Sequence, residues 1–202
     1  LEVAEIVIWL DAYVDRAPSA APLRLNAAGI DRADWVLVGH SHFDHIADAG
    51  HIAKNSGATV IGSALTCEIV QEEGVPAARV TPCAGGETLQ LGPLRLRLFP
   101  SLHGFNGLRE WPDPKGRDTR ARRDDLRKQA PELCEAALAH LAHIPEKQRQ
   151  DGGPLAYLLE WDGFRLFWHD TPGMVTSSWE AVAAYRPDVA LLSIAPSTPN
   201  VD

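Results

Sequence analysis

The segment WVLVGHSHFDHIAD, residues 35–48, joins an apolar run to a dense group of metal-binding side chains. The run over 34–40 has the length and continuous apolar character of a strand buried on both faces. Three histidines and an aspartate follow within six positions, namely His40, His42, Asp44 and His45. The carboxyl end of a buried strand is where open α/β sheets place their binding sites. The segment therefore predicts a functional site at the end of a central strand.

The side-chain types in this segment indicate a metal site. Imidazole binds borderline metals such as zinc, and carboxylate oxygen suits harder ions. In an extended segment His40 and His42 point the same way, because side chains alternate along a strand. Burying so many polar groups is costly unless they share a partner. A shared metal ion explains the cluster better than packing does.

The segments around this motif alternate between strand and helix patterns. Strands are predicted at 5–13, 34–40 and 58–63, a loop with a short helix at 16–33, and helices at 46–57 and 64–74, the last capped by Ser63. Strand, helix, strand, helix in this order is the signature of an α/β fold.

The second half of the chain has a different, antiparallel pattern. Residues 87–101 contain a Gly-Pro turn followed by strict apolar alternation, and 154–170 form two strands joined by Asp162-Gly163, a strong hairpin signal. Residues 188–194 predict a last buried strand. The block 104–153 interrupts these strands. Its helical apolar spacing, with Pro131 at the first turn of a helix, predicts a helical insertion in a single domain that covers residues 1–202.

Composition excludes several classes of protein. The net charge of −8 argues against a nucleic-acid or membrane-surface binder, because phosphate contacts need clustered Lys and Arg. No apolar run approaches the roughly 20 residues that span a bilayer, and no export signal opens the chain.

The three cysteines show no CxxC spacing, which favours reduced thiols. We therefore expect a cytoplasmic protein with no nucleic-acid or membrane partner. Homo-oligomerisation stays open.

HSHFDH has the HxHxDH pattern of the metallo-β-lactamase superfamily, which the chain resembles from residue 5 to 195. LFPSLHG supplies a later histidine, His103, and FRLFWHDTPG supplies an aspartate, Asp170. The resemblance implies an αβ/βα sandwich of two mixed sheets with outer helices, here incomplete at both ends. It also implies two divalent ions, Zn before Mn or Fe. One ion would be held by His40, His42 and His103 and the other by Asp44 and His45. Asp170 would bridge the ions, and Asp44 and Asp170 would be the catalytic residues.

The chain departs from the family pattern in two places. The family usually has a final histidine after one more strand, whereas no histidine follows Asp170 here. We expect that ligand in a further C-terminal segment. His169 stands where relatives often have Gly, and it could be a supporting residue behind the ligands, a further ligand or an ordinary strand residue. Asp11, at the end of the first strand, matches an aspartate of the family and is a second supporting candidate.

The resemblance implies a hydrolase in which a hydroxide shared by the two ions attacks the substrate. The motif looks most similar to the branch of ascorbate-6-phosphate lactonase and N-acyl-phosphatidylethanolamine phospholipase D. The predicted substrate is an ester, lactone or phosphodiester of a small anionic metabolite. Arg120 and Arg123, in the basic run of the insertion, could attract it. The alternative is that this mixed-charge run is a solvated face. Two other functions stay open: a phosphodiesterase or nuclease of the same fold, and a degenerate, non-catalytic metal-binding module.

Overall fold

Two β-sheets pack face to face in the computed structural model, which describes residues 1–15, 24–103, 128–171 and 173–193. The first sheet has the strand order β1-β2-β3-β4-β5, with β1 antiparallel to β2 and the other pairs parallel. Its strands are β1 Glu2–Val3, β2 Ile6–Leu10, β3 Trp35–Leu37, β4 Thr59–Gly62 and β5 Val80–Pro82.

The second sheet is mostly antiparallel and has the order β10-β7-β8-β9-β11, with β6 also paired to β7. Only the pair β9 and β11 is parallel within the described strands. The strands are β6 Thr88–Leu91, β7 Leu94–Leu102, β8 Leu155–Trp161, β9 Phe164–His169, β10 Gly173–Met174 and β11 Val189–Leu192.

Helices cover the outer faces of both sheets. The α-helices are α1 Phe43–Ile46, α2 Ala49–Ser56, α3 Ala64–Glu72, α4 Pro131–Ala142 and α5 Thr176–Tyr185, and short 3-10 helices lie at Ala27–Gly29, Ala77–Arg79 and Glu146–Arg149. One buried apolar cluster lies between the first sheet and its helices, a second between the two sheets, and a third under α5. These layers form the predicted αβ/βα sandwich of mixed sheets with outer helices.

Local sequence signals explain where several elements end. Gly57 closes α2 with φ of 81°, a left-handed conformation that glycine adopts without strain. The Ser63 hydroxyl accepts a hydrogen bond from the Thr66 backbone N–H and so caps α3. Asp162 and Gly163 both have positive φ, as the tight turn between β8 and β9 requires. The capped helix and the hairpin are therefore confirmed.

The prediction that 188–194 forms a buried strand was wrong in one respect. The strand forms as β11, but its apolar residues are exposed, with Leu192 at 50%. In the described part of the chain β11 is an edge strand that pairs only with β9. An apolar run alone does not distinguish an edge strand from a central one.

The block 104–153, predicted to be a helical insertion, is only partly described, since 104–127 lies outside the described residues. Its helix α4 begins at Pro131 as predicted. The helical apolar spacing of this block includes Leu133 and Leu141, which the structure does not bury, since they are 53% and 43% exposed. The half-buried side of α4 carries Ala137 and His140. Within the described residues, no helix has the length and apolar character needed to cross a membrane.

Candidate metal centre

The predicted metal ligands converge at the carboxyl ends of β3, β7 and β9. His40 and His42 follow β3, His103 follows β7, and Asp170 follows β9 directly. We call the six predicted ligands the donor cluster: His40, His42, Asp44, His45, His103 and Asp170. Two groups of three have all their ligand atoms within 4.8 Å of one another, namely His40, His42 and His103, and His40, His45 and Asp170. The fold therefore brings together side chains from segments up to 130 residues apart.

The first group is built from three imidazoles. Nε2 of His40 lies 3.1 Å from Nδ1 of His42, and the ring centroids of His42 and His103 are 4.6 Å apart. Burial, together with the neighbouring His40 and His103 rings, lowers the pKa of His42. A lowered pKa favours the neutral imidazole, which is the form that binds a metal ion.

Asp170 belongs to the second group and contacts His40, the residue that both groups share, whereas Asp44 belongs to neither group. Asp170 is 6% exposed, and its Oδ2 contacts Nδ1 of His40 and lies 3.3 Å from Nδ1 of His45. Its other oxygen, Oδ1, is buried and has no hydrogen-bond partner among the described residues. A buried carboxylate oxygen without a partner is costly, and a bound cation would satisfy it. The donor cluster therefore fits a metal ion on chemical grounds.

Gly39 makes room for this carboxylate. A Cβ atom at Gly39 would lie 2.5 Å from Oδ1 of Asp170, and closer still to Cγ and Oδ2. Any larger residue here would push the carboxylate away from His40. The sequence reasoning did not single out Gly39, because its role depends on a residue 131 positions later.

Asp11 holds His45 in place. Its Oδ2 lies 2.6 Å from Nδ1 of His45, and its Oδ1 accepts a hydrogen bond of 2.9 Å from the Gly39 backbone N–H. Nε2 of His45 then faces Oδ2 of Asp44, which lies 3.8 Å away. The backbone of Asp11 has a positive φ of 54°. The sequence had suggested Asp11 as a supporting residue, and the structure places it in contact with a predicted ligand.

The electrostatics of Asp11 and His45 reflect their mutual burial. Burial raises the pKa of Asp11 to about 6, against the opposing hydrogen bond from His45. Burial alone would lower the pKa of His45, but the hydrogen bond and charge of Asp11, with Asp170 and Asp44, raise it. The hydrogen bond between the two side chains thus favours the charged form of each, next to the donor cluster.

His169 does not join either donor group. It is 2% exposed, and its Nε2 lies 2.7 Å from Oγ of Ser101. Burial lowers its pKa, which keeps the ring neutral. The other suggested binding residues, Arg120 and Arg123, lie outside the described residues.

Several contacts that support the motif were missed by the sequence reasoning. Oγ of Ser41 lies 2.9 Å from Oγ1 of Thr66, so a buried hydroxyl pair anchors the residue between His40 and His42. The Ser41 backbone N–H donates to the Asp151 carbonyl at 2.9 Å. Tyr157 is fully buried in β8, and its hydroxyl donates to the Val38 carbonyl at 2.7 Å. No local pattern in the sequence links these partners.

Helix α4 also contacts the motif. The Phe43 ring, between two predicted ligands, meets the rings of Tyr13 and His140 at 5.7 and 5.8 Å. The Tyr13 hydroxyl lies 3.3 Å from Nε2 of His140. Helix α4 therefore packs beside the segment that carries His42 and Asp44.

A cavity opens next to the second donor group. His45 and Asp170 reach it from the donor cluster, and Trp168 and Leu191 form part of its apolar wall. Asp170 therefore borders both the donor cluster and this cavity.

The sequence model of a family described as "Beta-lactamase superfamily domain" matches residues 7–118, more than half of the chain. The chain belongs to this superfamily. The resemblance inferred from HSHFDH is thereby confirmed at the level of the superfamily, and the branch stays a prediction.

Relatives of this superfamily member carry the name UPF0173 metal-dependent hydrolase. The protein from Pyrobaculum calidifontis is 35% identical over 109 residues, which are 52% of this chain and 47% of that protein. The protein from Chloroflexus aurantiacus is 32% identical over 96 residues, which are 48% of this chain and 39% of that protein. The matches thus cover less than half the length of these relatives.

Solved structures share the fold at low sequence identity. Igni18, a metallo hydrolase from Ignicoccus hospitalis, has a TM-score of 0.58 at 19% identity, over 95% of this chain and 64% of that one. An isothiocyanate hydrolase from Delia radicum gut bacteria has a TM-score of 0.58 at 13% identity, over 100% and 69%. At such identities the likeness concerns the fold alone.

Proposed function

We propose that this chain carries the metal centre of a hydrolase that uses two divalent ions. The observation behind the proposal is the pair of donor groups that share His40, with the partnerless Oδ1 of Asp170 in the second group. The relatives named metal-dependent hydrolases support it. In this proposal His40, His42 and His103 would hold one ion, Asp44 and His45 would hold the other, and Asp170 would serve both.

Two bound cations would lower the pKa of a bound water and stabilise negative charge that develops on an attacked carbonyl or phosphoryl group. The protein groups would orient this chemistry. Asp11 fixes the ring of His45, which leaves Nε2 for coordination. Asp44, whose side chain is 49% exposed, lies at the solvent side of the cluster. We propose Asp44 and Asp170 as the catalytic carboxylates.

We propose zinc as the metal, because three of the ligands in one group are imidazoles and zinc favours nitrogen ligands. Manganese and iron suit the same mixed nitrogen and oxygen set. The proposed substrate is a small anionic metabolite with an ester, lactone or phosphodiester bond. Its anionic character rests on the basic run of the sequence that contains Arg120 and Arg123.

The first experiment measures metal per chain by elemental analysis of the purified protein after zinc, manganese or iron is supplied. We expect close to two ions per chain. One ion, or none, would instead favour the degenerate metal-binding module.

The second experiment tests hydrolysis with a panel of lactones, carboxylic esters and phosphodiesters. His42→Ala and Asp44→Ala should abolish turnover while circular dichroism stays that of the wild type. His51→Ala is the matched control, since His51 is an exposed histidine on the neighbouring helix α2. Full activity in a His42→Ala protein that has lost its metal would refute the proposal.

A further inference from the structure

Three groups link the strand that leads to His103 with the segment that follows Asp170. Oγ of Ser101 lies 2.7 Å from Nε2 of His169 and 2.7 Å from the Gly173 carbonyl oxygen. Ser101 is two residues before His103, and His169 directly precedes Asp170. The hydrogen-bonded groups therefore lie immediately behind two predicted ligands.

The direction of each hydrogen bond follows from the chemistry of the groups. A carbonyl oxygen only accepts, so the Ser101 hydroxyl donates its one proton to Gly173. The same oxygen must then accept a hydrogen bond from the Nε2–H of His169. His169 is thus the donor to Ser101, and Ser101 is the donor to Gly173. A side chain at position 169 that cannot donate a hydrogen bond from the position of Nε2 would break the connection to Ser101.

Close backbone packing reinforces this link. Gly173 pairs with Leu102 where β10 meets β7. A Cβ atom at Gly173 would lie 2.9 Å from the His103 carbonyl oxygen and closer still to that of Leu102. The chain after Asp170 is thus pressed against the backbone of His103 itself.

Within the described residues, His169 belongs to neither donor group. Its Nε2 is engaged by Ser101, and its ring packs against Phe167 and Trp179 at centroid distances of 6.1 and 6.0 Å. These rings account for the burial of His169, but they do not require a nitrogen at Nε2. The hydrogen bond to Ser101 is the feature that needs a histidine.

We propose that His169 is a positioning residue, which fixes the separation of His103 and Asp170 through its hydrogen bond to Ser101. This inference rests on the proposed metal centre, because it states that His169 keeps two ligands of that centre, His103 and Asp170, at a fixed separation. Ligand distances in metal sites tolerate only about 0.2 Å of error. A link between the two segments that carry these ligands therefore affects how tightly the ions bind.

The test compares the metal affinity of matched variants. His169→Leu removes the donor and keeps an apolar side chain, whereas His169→Gln keeps an N–H close to the position of Nε2. Ser101→Ala removes the central hydroxyl with the smallest change in volume. His143→Leu is the control, because His143 is an exposed histidine just after α4. Affinity for Zn²⁺ is measured by competition with a chelator, and unfolding by urea is measured on the same metal-free samples.

We expect His169→Leu and Ser101→Ala to weaken Zn²⁺ binding by about 10- to 100-fold, the usual effect of losing a partner behind the ligands. His169→Gln should restore most of the affinity, and His143→Leu should match the wild type. The double variant His169→Leu with Ser101→Ala should be no weaker than either single variant, since both break the same link.

Other outcomes separate the inference from the proposed function. Wild-type affinity in His169→Leu and in Ser101→Ala, with two ions still bound, would overturn the positioning role and leave the metal centre intact. An equal loss of Zn²⁺ affinity in His169→Gln and His169→Leu would show that His169 acts only through packing, and would also overturn the positioning role. A wild-type protein that binds no Zn²⁺ would overturn the metal centre and the inference together.

Discussion

Replacement of Gly39 by alanine should displace the Asp170 carboxylate from the donor cluster without a large change elsewhere. The added methyl group would lie 2.5 Å from Oδ1 of Asp170, whereas ordinary van der Waals contact begins near 3.4 Å. Because Cγ and Oδ2 of Asp170 would lie closer still, the carboxylate must move by at least about 1 Å, several times the tolerance of about 0.2 Å for a metal ligand. Gly39 is not among the glycines with positive φ, so alanine adds no backbone strain.

Two free-energy effects of Gly39→Ala oppose each other. Overpacking a buried site costs typically 1–3 kcal/mol, and alanine recovers about 0.4–1 kcal/mol by restricting the unfolded chain. The expected net loss of stability is about 1–2 kcal/mol, small enough for the fold to persist. Catalysis should suffer far more, because a 1 Å misplacement can cost about 100-fold in rate.

The assay combines metal content after dialysis, urea unfolding and turnover of the substrate found in the panel. We expect metal content to fall from two ions to one or fewer, with a drop of at least about 100-fold in kcat. Gly29→Ala serves as the control, since a Cβ there meets only Asn26 Oδ1, at 3.3 Å. Two tightly bound ions and wild-type turnover in Gly39→Ala would show that the carboxylate of Asp170 does not occupy this position when metal is bound.

Three further changes test neighbouring parts of the structure. In Asp11→Asn the side-chain amide can accept only one of the two hydrogen bonds that the Asp11 carboxylate accepts. Zn²⁺ affinity, measured by competition with a chelator, should therefore fall about 10- to 100-fold. Unchanged affinity would argue against a role for Asp11 in orienting His45. Tyr157→Phe leaves the Val38 carbonyl without its donor, and urea unfolding should show a loss of about 1–3 kcal/mol. Burial raises the pKa of Glu73 from 4.5 to about 7. The folded chain therefore binds this proton more tightly than the unfolded chain, and the protein loses stability as the pH rises from 4.5 to 7. Glu73→Gln should raise Tm by roughly 2–4 °C at about pH 8 and leave Tm unchanged below pH 4.5, whereas an equal rise in Tm at both pH values would contradict this reasoning.

Local patterns predicted the elements that depend on local chemistry. The hairpin at Asp162-Gly163 and the cap at Ser63 are decided within a few residues, and both appear where expected. The apolar run 188–194 was placed in the wrong environment, because burial depends on which strands lie beside it. The exposed Leu192 shows this limit.

The donor cluster likewise contains residues that are close in the sequence and residues that are far apart in it. His40, His42 and His45 belong to one short motif, and their proximity was readable from spacing alone. The positions of His103 and Asp170 rested on the family pattern, and the structure brings them to the same point. The contact of Gly39 with the Asp170 carboxylate joins two strands of different sheets, so no spacing rule could have revealed it.

The donor cluster draws its members from both sheets, which has a consequence for the lifetime of the protein. Ions held there would act as a crosslink between the half that carries His40 and the half that carries His103 and Asp170. By mass action, a ligand at 1,000 times its Kd stabilises the folded state by about 4 kcal/mol. A chain short of metal would lose this contribution, open more often between its sheets and be cut sooner by proteases. Metal supply would then set the abundance of the protein as well as its activity.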